Sequence, residues 1–343
     1  MRFALARFAG HILPPVFAAR LTDVLYPLRL ARSEARDFTA RVRTGGVYRG
    51  NAADVHARYV ALHGFHDWRL WVVAQTVCRA GEIVAEIGAN VGTETIAFAD
   101  IVGPSGRVYA FEPYPPNAEA LGRTMPGHVQ IVPCAVSDRS GWAGFVAPPA
   151  QQSGVGYLGD GDVKVDVVAL DDYAFTGPLR FLAIDAEGHE VRILRGGERR
   201  LRTDRPVIVL EASESHLHRA GADWTDLTAT LLAAGYAVMR LGRWGLTTID
   251  REPSNWLAVP LEERALLARI DRALRRQAWS PVWRRQDQSP RQGDEARAIR
   301  ETPARRIWRR RFPYDPALSE LERLAADAIK HRKRDGDGAE TLR

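Results

Sequence analysis

The sequence predicts an α/β fold, an open doubly wound sheet with helices on both faces and helical extensions at the N- and C-termini. Three observations predict it. Ile83 and Val84 begin a short apolar strand that ends in Glu86, turns on Gly88 and Gly92, and enters a helix running through Ile96 to Ile101. About twenty residues on, a second strand, Arg107-Val108-Tyr109-Ala110-Phe111, ends in Glu112, and Pro113 behind it favours extended backbone for that carboxylate. Later in the chain, Leu179–Ile184 and Arg205–Leu210 read as further strands, and they end in Asp185 and Glu211.

The glycine spacing separates two kinds of cofactor. A dinucleotide fingerprint needs G-x-G-x-x-G so that backbone can approach a pyrophosphate. Here the turn reads Gly88-Ala89-Asn90-Val91-Gly92, with Glu86 ahead of it. Carboxylates at the ends of neighbouring strands suit ribose hydroxyls and an ammonium group and would repel a pyrophosphate. The expected cofactor is S-adenosylmethionine, with Glu86, Gly88, Asn90, Gly92 and Glu112 around it. A tight strand-to-helix turn without ligand is the plainer alternative.

Length and composition admit one large core with appendages, at 343 residues and 45% hydrophobic. The two cysteines, Cys78 and Cys134, imply a reducing, cytoplasmic compartment with neither structural zinc nor a disulfide framework. Residues 1–64 form the expected N-terminal helical extension. Arg7 interrupts its apolar start, which speaks against a secretory signal, and no stretch reaches the roughly 18 apolar residues of a membrane span. Phe3, Phe8, Leu13, Phe17, Leu21, Leu25 and Leu28 alternate with Arg2, Arg7, Arg20 and Arg29. That pattern admits a peripheral membrane contact, although a cap helix packed on the domain is the ordinary account. Residues 31–50 read as a polar, turn-rich connection. Leu70 to Val77 reads as a helix that Asp67 caps, and His56, His63 and His66 are placed at a substrate entrance or in packing.

Beyond Glu112, Val129–Pro133 is a short strand. Ser137 or Asp138 at its exit is placed to meet an adenine amine, with equal weight on Asp138 simply starting the turn before Gly141. Residues 147–162, rich in proline and glycine, form a loop over or beside the pocket, and Val163–Val168 alternates as a strand. In Asp185-Ala186-Glu187-Gly188-His189-Glu190 three acids crowd one helix start, more than capping asks for. Such a cluster can orient a hydroxyl, take its proton, or hold a divalent cation; spacing alone leaves the metal open. Asp185 ranks first as base, Glu187 second and His189 third, while Glu211 with His216 or His218 is placed to face the substrate. Trp224–Leu232 reads as a helix, Gly235–Met239 as a strand, and Trp256–Val259 as a closing edge strand preceded by the weaker site candidate Asn255.

Taken in order, these motifs resemble the FkbM family of S-adenosylmethionine-dependent methyltransferases. The family's acidic residue before Gly-Ala-Asn-x-Gly is matched by Glu86, Gly88, Ala89, Asn90 and Gly92, and its acid-proline pair by Glu112 and Pro113. Its Asp-x-Glu-Gly-x-Glu run is matched by Asp185, Glu187, Gly188 and Glu190, its Arg-Pro strand by Arg205, Pro206 and Glu211, and its late asparagine by Asn255. The resemblance covers residues 65–260. It implies a Rossmann-like, seven-stranded methyltransferase sheet and transfer of a methyl group to a hydroxyl of a saccharide or small natural product. Two departures stand out: Ala183 where the family commonly has lysine, and Thr93-Glu94-Thr95 where a tyrosine often follows the first motif.

Residues 261–343 carry the basic excess, with 21 Arg and Lys against 14 Asp and Glu, and read as a helical or partly disordered C-terminal extension. Leu261–Ile270 and Leu318–Leu324 are helix-like, and Arg305–Phe312 interleaves arginines with aromatics. A solvated helical appendage or an oligomer contact is the ordinary account; an anionic glycan or an anionic lipid surface suits the charge, whereas nucleic acid is disfavoured by the interspersed acids. Two other functions stay in view. An NAD-dependent oxidoreductase is disfavoured by Asn90 and the carboxylates, and a non-catalytic binding module would use the inherited fold and the basic tail.

Overall fold

The structure is a computed structural model that describes residues 1–250 and 252–280. The expected helix at Leu318–Leu324 and the basic run Arg305–Phe312 lie outside the described residues.

Seven strands of the main sheet are numbered in chain order: β1 Ile83–Ile87, β2 Arg107–Phe111, β3 Val129–Val132, β4 Leu179–Ile184, β5 Val207–Ala212, β6 Tyr236–Leu241 and β7 Ser254–Pro260. They lie in the order β3-β2-β1-β4-β5-β7-β6, and a two-residue strand, Leu246–Thr247, adds an eighth at the β6 edge. The first five run parallel and β7 runs antiparallel to both neighbours. Trp256–Val259 is therefore not the closing edge strand the sequence suggested. Trp256, Leu257, Ala258 and Val259 are all fully buried, and an apolar run covered on both faces fits an interior strand.

The pleat sorts side chains into two layers. Val84, Phe181 and Ala183 share one cluster with Trp71, Phe98 and Leu274, whereas Ala85, Ile87, Leu182 and Ile184 share another with Leu194 and Leu231. Helices Trp68–Val77, Thr95–Val102 and Ala265–Trp279 cover the first face; Glu190–Gly196 and Trp224–Ala233 cover the second. Leu266, Leu267, Ile270, Leu274 and Ala278 recur at helical spacing, so helix Ala265–Trp279 buries one stripe against Trp68–Val77. Each such leucine contributes roughly 2 kcal/mol of burial.

Helices Arg2–Ile12, Pro15–Leu25 and Leu28–Glu34 open the chain. The segment read as a turn-rich connection holds a hairpin instead, Asp37–Arg41 paired antiparallel with Val47–Asn51. Alternation explains it: Phe38, Ala40 and Tyr48 are buried while Asp37, Thr39 and Arg41 are exposed, and Gly45-Gly46 makes the turn. A second sheet orders Ala135–Ser137, Val163–Ala169, Gly141–Val146 and Tyr157–Leu158 beside the main one.

Candidate cofactor and acceptor site

Strands β1, β2, β4 and β5 all end at one cavity of about 840 Å³. In a parallel sheet the chain leaves each strand at that end, so residues distant in sequence converge there. Glu86, Gly88, Asn90, Glu112, Asp185, Glu187, His189 and Glu211 all line it.

At the β1 and β2 end, the first turn is built on left-handed backbone, with φ +82° at Gly88 and +50° at Asn90. This aims the Gly88 and Ala89 N–H groups at Phe111 O, both at 3.0 Å. Glu112 holds the turn: its Oε2 accepts from the Asn90 N–H at 2.8 Å and its Oε1 from the Tyr114 N–H at 2.9 Å. Burial raises the Glu112 carboxyl to about 7 against those bonds. Glu86 is 6% exposed, and burial raises its carboxyl well above the usual carboxylate range. Its Oε2 and the Asn90 Oδ1 are buried without a protein partner. Unsatisfied acceptors on a cavity wall call for a ligand that brings donors. Ribose hydroxyls and an ammonium group are donors and a pyrophosphate is not, so the residues present fit S-adenosylmethionine.

Three expected contacts fall elsewhere. Gly92 does not line the cavity and packs beneath Leu121 and Met125. Ser137 and Asp138 do not line it either; Cys134, Ala135 and Val136 do. The reason is that Ala135–Ser137 leaves the main sheet to pair with Val163–Ala169, which carries Ser137 Oγ onto Asp138 and Asp138 towards Arg192.

At the β4 and β5 end, Asp185 and Glu211 both line the cavity. Burial first, then the charges of Glu211, Glu187 and Glu190, raise Asp185 well above an ordinary aspartate. Glu187 stands at φ +53°, with Oε2 2.9 Å from His216 Nδ1 and 3.5 Å from Arg219; burial and then Glu211 raise it to about 7. Glu211 lies 3.8 Å from the same imidazole nitrogen. Glu187, Glu211 and His216 present ligand atoms all within 4.8 Å of one another, a set able to hold a divalent cation. Burial and then Arg192 lower His189 to about 4, so its imidazole is neutral at pH 7. His218 is turned outward, 3.9 Å from Glu214.

The third acid of the run does what a capping residue does. Glu190 Oε1 accepts the N–H groups of Ala186 and Gly188, both at 3.2 Å, and burial raises it to about 7. A carboxyl whose folded value lies above its unfolded value stabilises the fold at low pH, and that stability is lost as pH rises from about 4.5 through about 7. Glu190→Gln keeps the acceptor oxygen and removes the charge. Thermal melts should show the variant more stable than wild type by roughly 1–3 kcal/mol at pH 8 and equal to it near pH 4. Destabilisation at pH 8 would mean that the buried charge itself is used.

His56, His63 and His66 all line the cavity. Asp67 caps Trp68–Val77 as the sequence implied, accepting the Arg69 N–H at 2.9 Å, and Asn255 Nδ2 donates to it at 3.1 Å. The sequence did not reveal the role of Glu94, which accepts the Asp67 N–H at 2.8 Å and lies 3.2 Å from His66 Nδ1. Burial alone would lower His66, but Glu94, Asp67 and Asp54 outweigh it and raise the imidazole. The loop expected near the pocket does line it, through Ser153 to Leu158. Ser153 Oγ donates to Asp54 at 2.7 Å and Asn117 Nδ2 donates to Ser153 O at 3.0 Å, tying the loop to both sides. Val16, Ala19 and Arg20 of helix Pro15–Leu25 also line the cavity, another contribution no local motif announced.

The family model described as the methyltransferase FkbM domain matches residues 86–238, the span that supplies most of these groups. Residues 86–238 are similar to that domain. Over 160 residues the chain is 28% identical to the hexuronic acid methyltransferase AglP of Haloferax volcanii, covering 45% of this chain. The chain spans 62% of the length of that curated relative. Among solved structures it is similar to the FkbM methyltransferase of Methylobacillus flagellatus KT, at 15% identity and a TM-score of 0.38, covering 75% of this chain and 58% of that one. It is also similar to the O-methyltransferase TomG of Streptomyces achromogenes, at 17% identity and a TM-score of 0.34, covering 56% and 78% respectively. Within the matched span, Glu86 stands on β1, Glu112 directly follows β2, and the Asp185–Glu190 run directly follows β4.

Proposed function

We propose that the chain is an S-adenosylmethionine-dependent O-methyltransferase acting on a hydroxyl of a saccharide or small natural product. The observation that carries this reading is one cavity walled by Glu86 and Glu112 at the ends of β1 and β2 and by Asp185 and Glu211 at the ends of β4 and β5. Bound S-adenosylmethionine supplies an electrophilic methyl group on a sulfonium centre. Glu86 and Glu112 hold its hydroxyl and ammonium donors. Asp185, whose raised proton affinity brings it closer to the acceptor hydroxyl's own, takes the acceptor proton, with Glu211 beside it on the cavity wall. Glu187 and the neutral His189 orient the acceptor, and any divalent cation would sit among Glu187, Glu211 and His216. The relative named as a hexuronic acid methyltransferase supports a saccharide acceptor.

Isothermal titration with S-adenosylmethionine, S-adenosylhomocysteine and NAD tests the reading. Wild type should bind both adenosyl ligands and not NAD. Glu112→Ala should weaken binding by about 10- to 100-fold, a loss of about 1.4–2.8 kcal/mol, as expected for a buried acceptor of ligand hydroxyls. Glu112→Gln, which keeps one acceptor for the Asn90 N–H, controls for collapse of the turn. Folded protein that binds neither adenosyl ligand would sink the assignment and favour the non-catalytic module; NAD binding would favour the oxidoreductase.

A further inference from the structure

Helices Arg2–Ile12 and Pro15–Leu25 pack against each other, yet among the described residues each leaves an apolar side uncovered. Leu5, Phe8 and Ile12 recur at helical spacing on the first, and Phe17, Leu21 and Val24 on the second. All six are exposed, Phe8 at 62% and Val24 at 76%. Apolar stripes of this spacing ordinarily face a core. Here the inward sides are filled by small residues instead, among them Ala6, Ala9, Val16 and Ala18. Phe17 meets Trp279 edge-on at 5.7 Å, and that indole is itself 56% exposed.

The charge beside these stripes has one sign. Arg2 and Arg20 in the two helices, and Arg29 just beyond them, are exposed. Asp23 is the single acid in residues 1–25, and Arg58 neutralises it at 2.9 Å. We infer that this face seats the protein on an anionic lipid bilayer, with the apolar side chains at the boundary between headgroups and acyl chains and the arginines among the phosphates. No helix among the described residues is long and apolar enough to cross a membrane, so the contact is peripheral. Helix Pro15–Leu25 also lends Val16, Ala19 and Arg20 to the cavity wall, so docking places the cavity beside the lipid surface.

Co-sedimentation of the full chain with phosphatidylcholine vesicles, and with vesicles that also contain phosphatidylglycerol, tests the inference. The protein should partition onto the mixed vesicles, less with added salt, and at least about tenfold less onto phosphatidylcholine alone. The triple variant Leu5→Gln, Phe8→Gln, Val24→Gln should lower partitioning onto mixed vesicles by about tenfold or more. Its melting temperature should match wild type because these side chains touch solvent. A second variant, Arg2→Gln with Arg29→Gln, should lose the preference for anionic vesicles alone. Absence of binding to mixed vesicles would overturn the proposal. So would a wild-type dimer that the triple variant converts to monomer, which would assign the face to a second copy of the chain.

Discussion

Gly88→Ala is expected to cost several kcal/mol of stability and to abolish binding of adenosyl ligands. Gly88 stands at φ +82°, and a Cβ added there would lie 1.8 Å from Asp185 O and 2.9 Å from Asp185 C. Neither backbone can yield cheaply. Asp185 N–H donates to Ile87 O at 2.9 Å and Ile184 is in register with Ile87, so β1 and β4 are held together at that point. Gly88 N–H is in turn committed to Phe111 O on β2. The left-handed backbone alone costs about 1 kcal/mol in alanine, and the clash adds more. Gly221→Ala separates the two costs, because Gly221 has φ +78° and nothing within 4 Å of the added atom. Thermal melts should show Gly221→Ala down by about 1 kcal/mol, a few degrees, and Gly88→Ala down by at least about 3 kcal/mol. Equal shifts would mean that β1 and β4 can part without cost and that the close approach at the turn is not structural.

Asp185→Asn is expected to lower kcat/KM by about 10²- to 10⁴-fold, the range for loss of a positioned general base. Fold stability should hold or rise, since the substitution removes a carboxyl whose charge is opposed by burial and by Glu211. Binding of S-adenosylmethionine should change little. That split distinguishes a base from a structural residue, for which stability would fall with activity. The pH profile supplies a second readout. The base must be ionised to act, so wild-type kcat/KM should climb with pH through the raised pKa of Asp185, well above the ordinary aspartate range. A variant that keeps wild-type activity, or a profile flat above pH 5, would remove Asp185 from the chemistry. The acceptor for this assay comes from a screen of hydroxylated saccharides.

The strands at Ile83–Ile87, Arg107–Phe111, Leu179–Ile184 and Val207–Ala212 were legible because each is a short apolar run closed by an acid and a turn. Those acids line one cavity for the same reason, since parallel strands all end on one side of the sheet. The hairpin Asp37–Arg41 with Val47–Asn51 carried a usable signal, alternation around Gly45-Gly46, that its polar composition obscured. Ser137 and Asp138 show the limit of reading along the chain. Position after a main-sheet strand suggested the pocket, but pairing of Ala135–Ser137 with Val163–Ala169 turns both aside.

The sequence by itself determined which residues form the parallel strands, which acids end them, and that the chain turns at Gly88, because all of these follow from local periodicity and turn chemistry. Only the tertiary structure decided that Glu190 caps while Asp185 and Glu211 open into the cavity. It also decided that Glu94 binds Asp67 and that helix Pro15–Leu25 closes one wall of the cavity. Those outcomes depend on contacts between segments far apart in the chain, and on burial, which shifts each carboxyl by an amount no residue carries in its own neighbourhood.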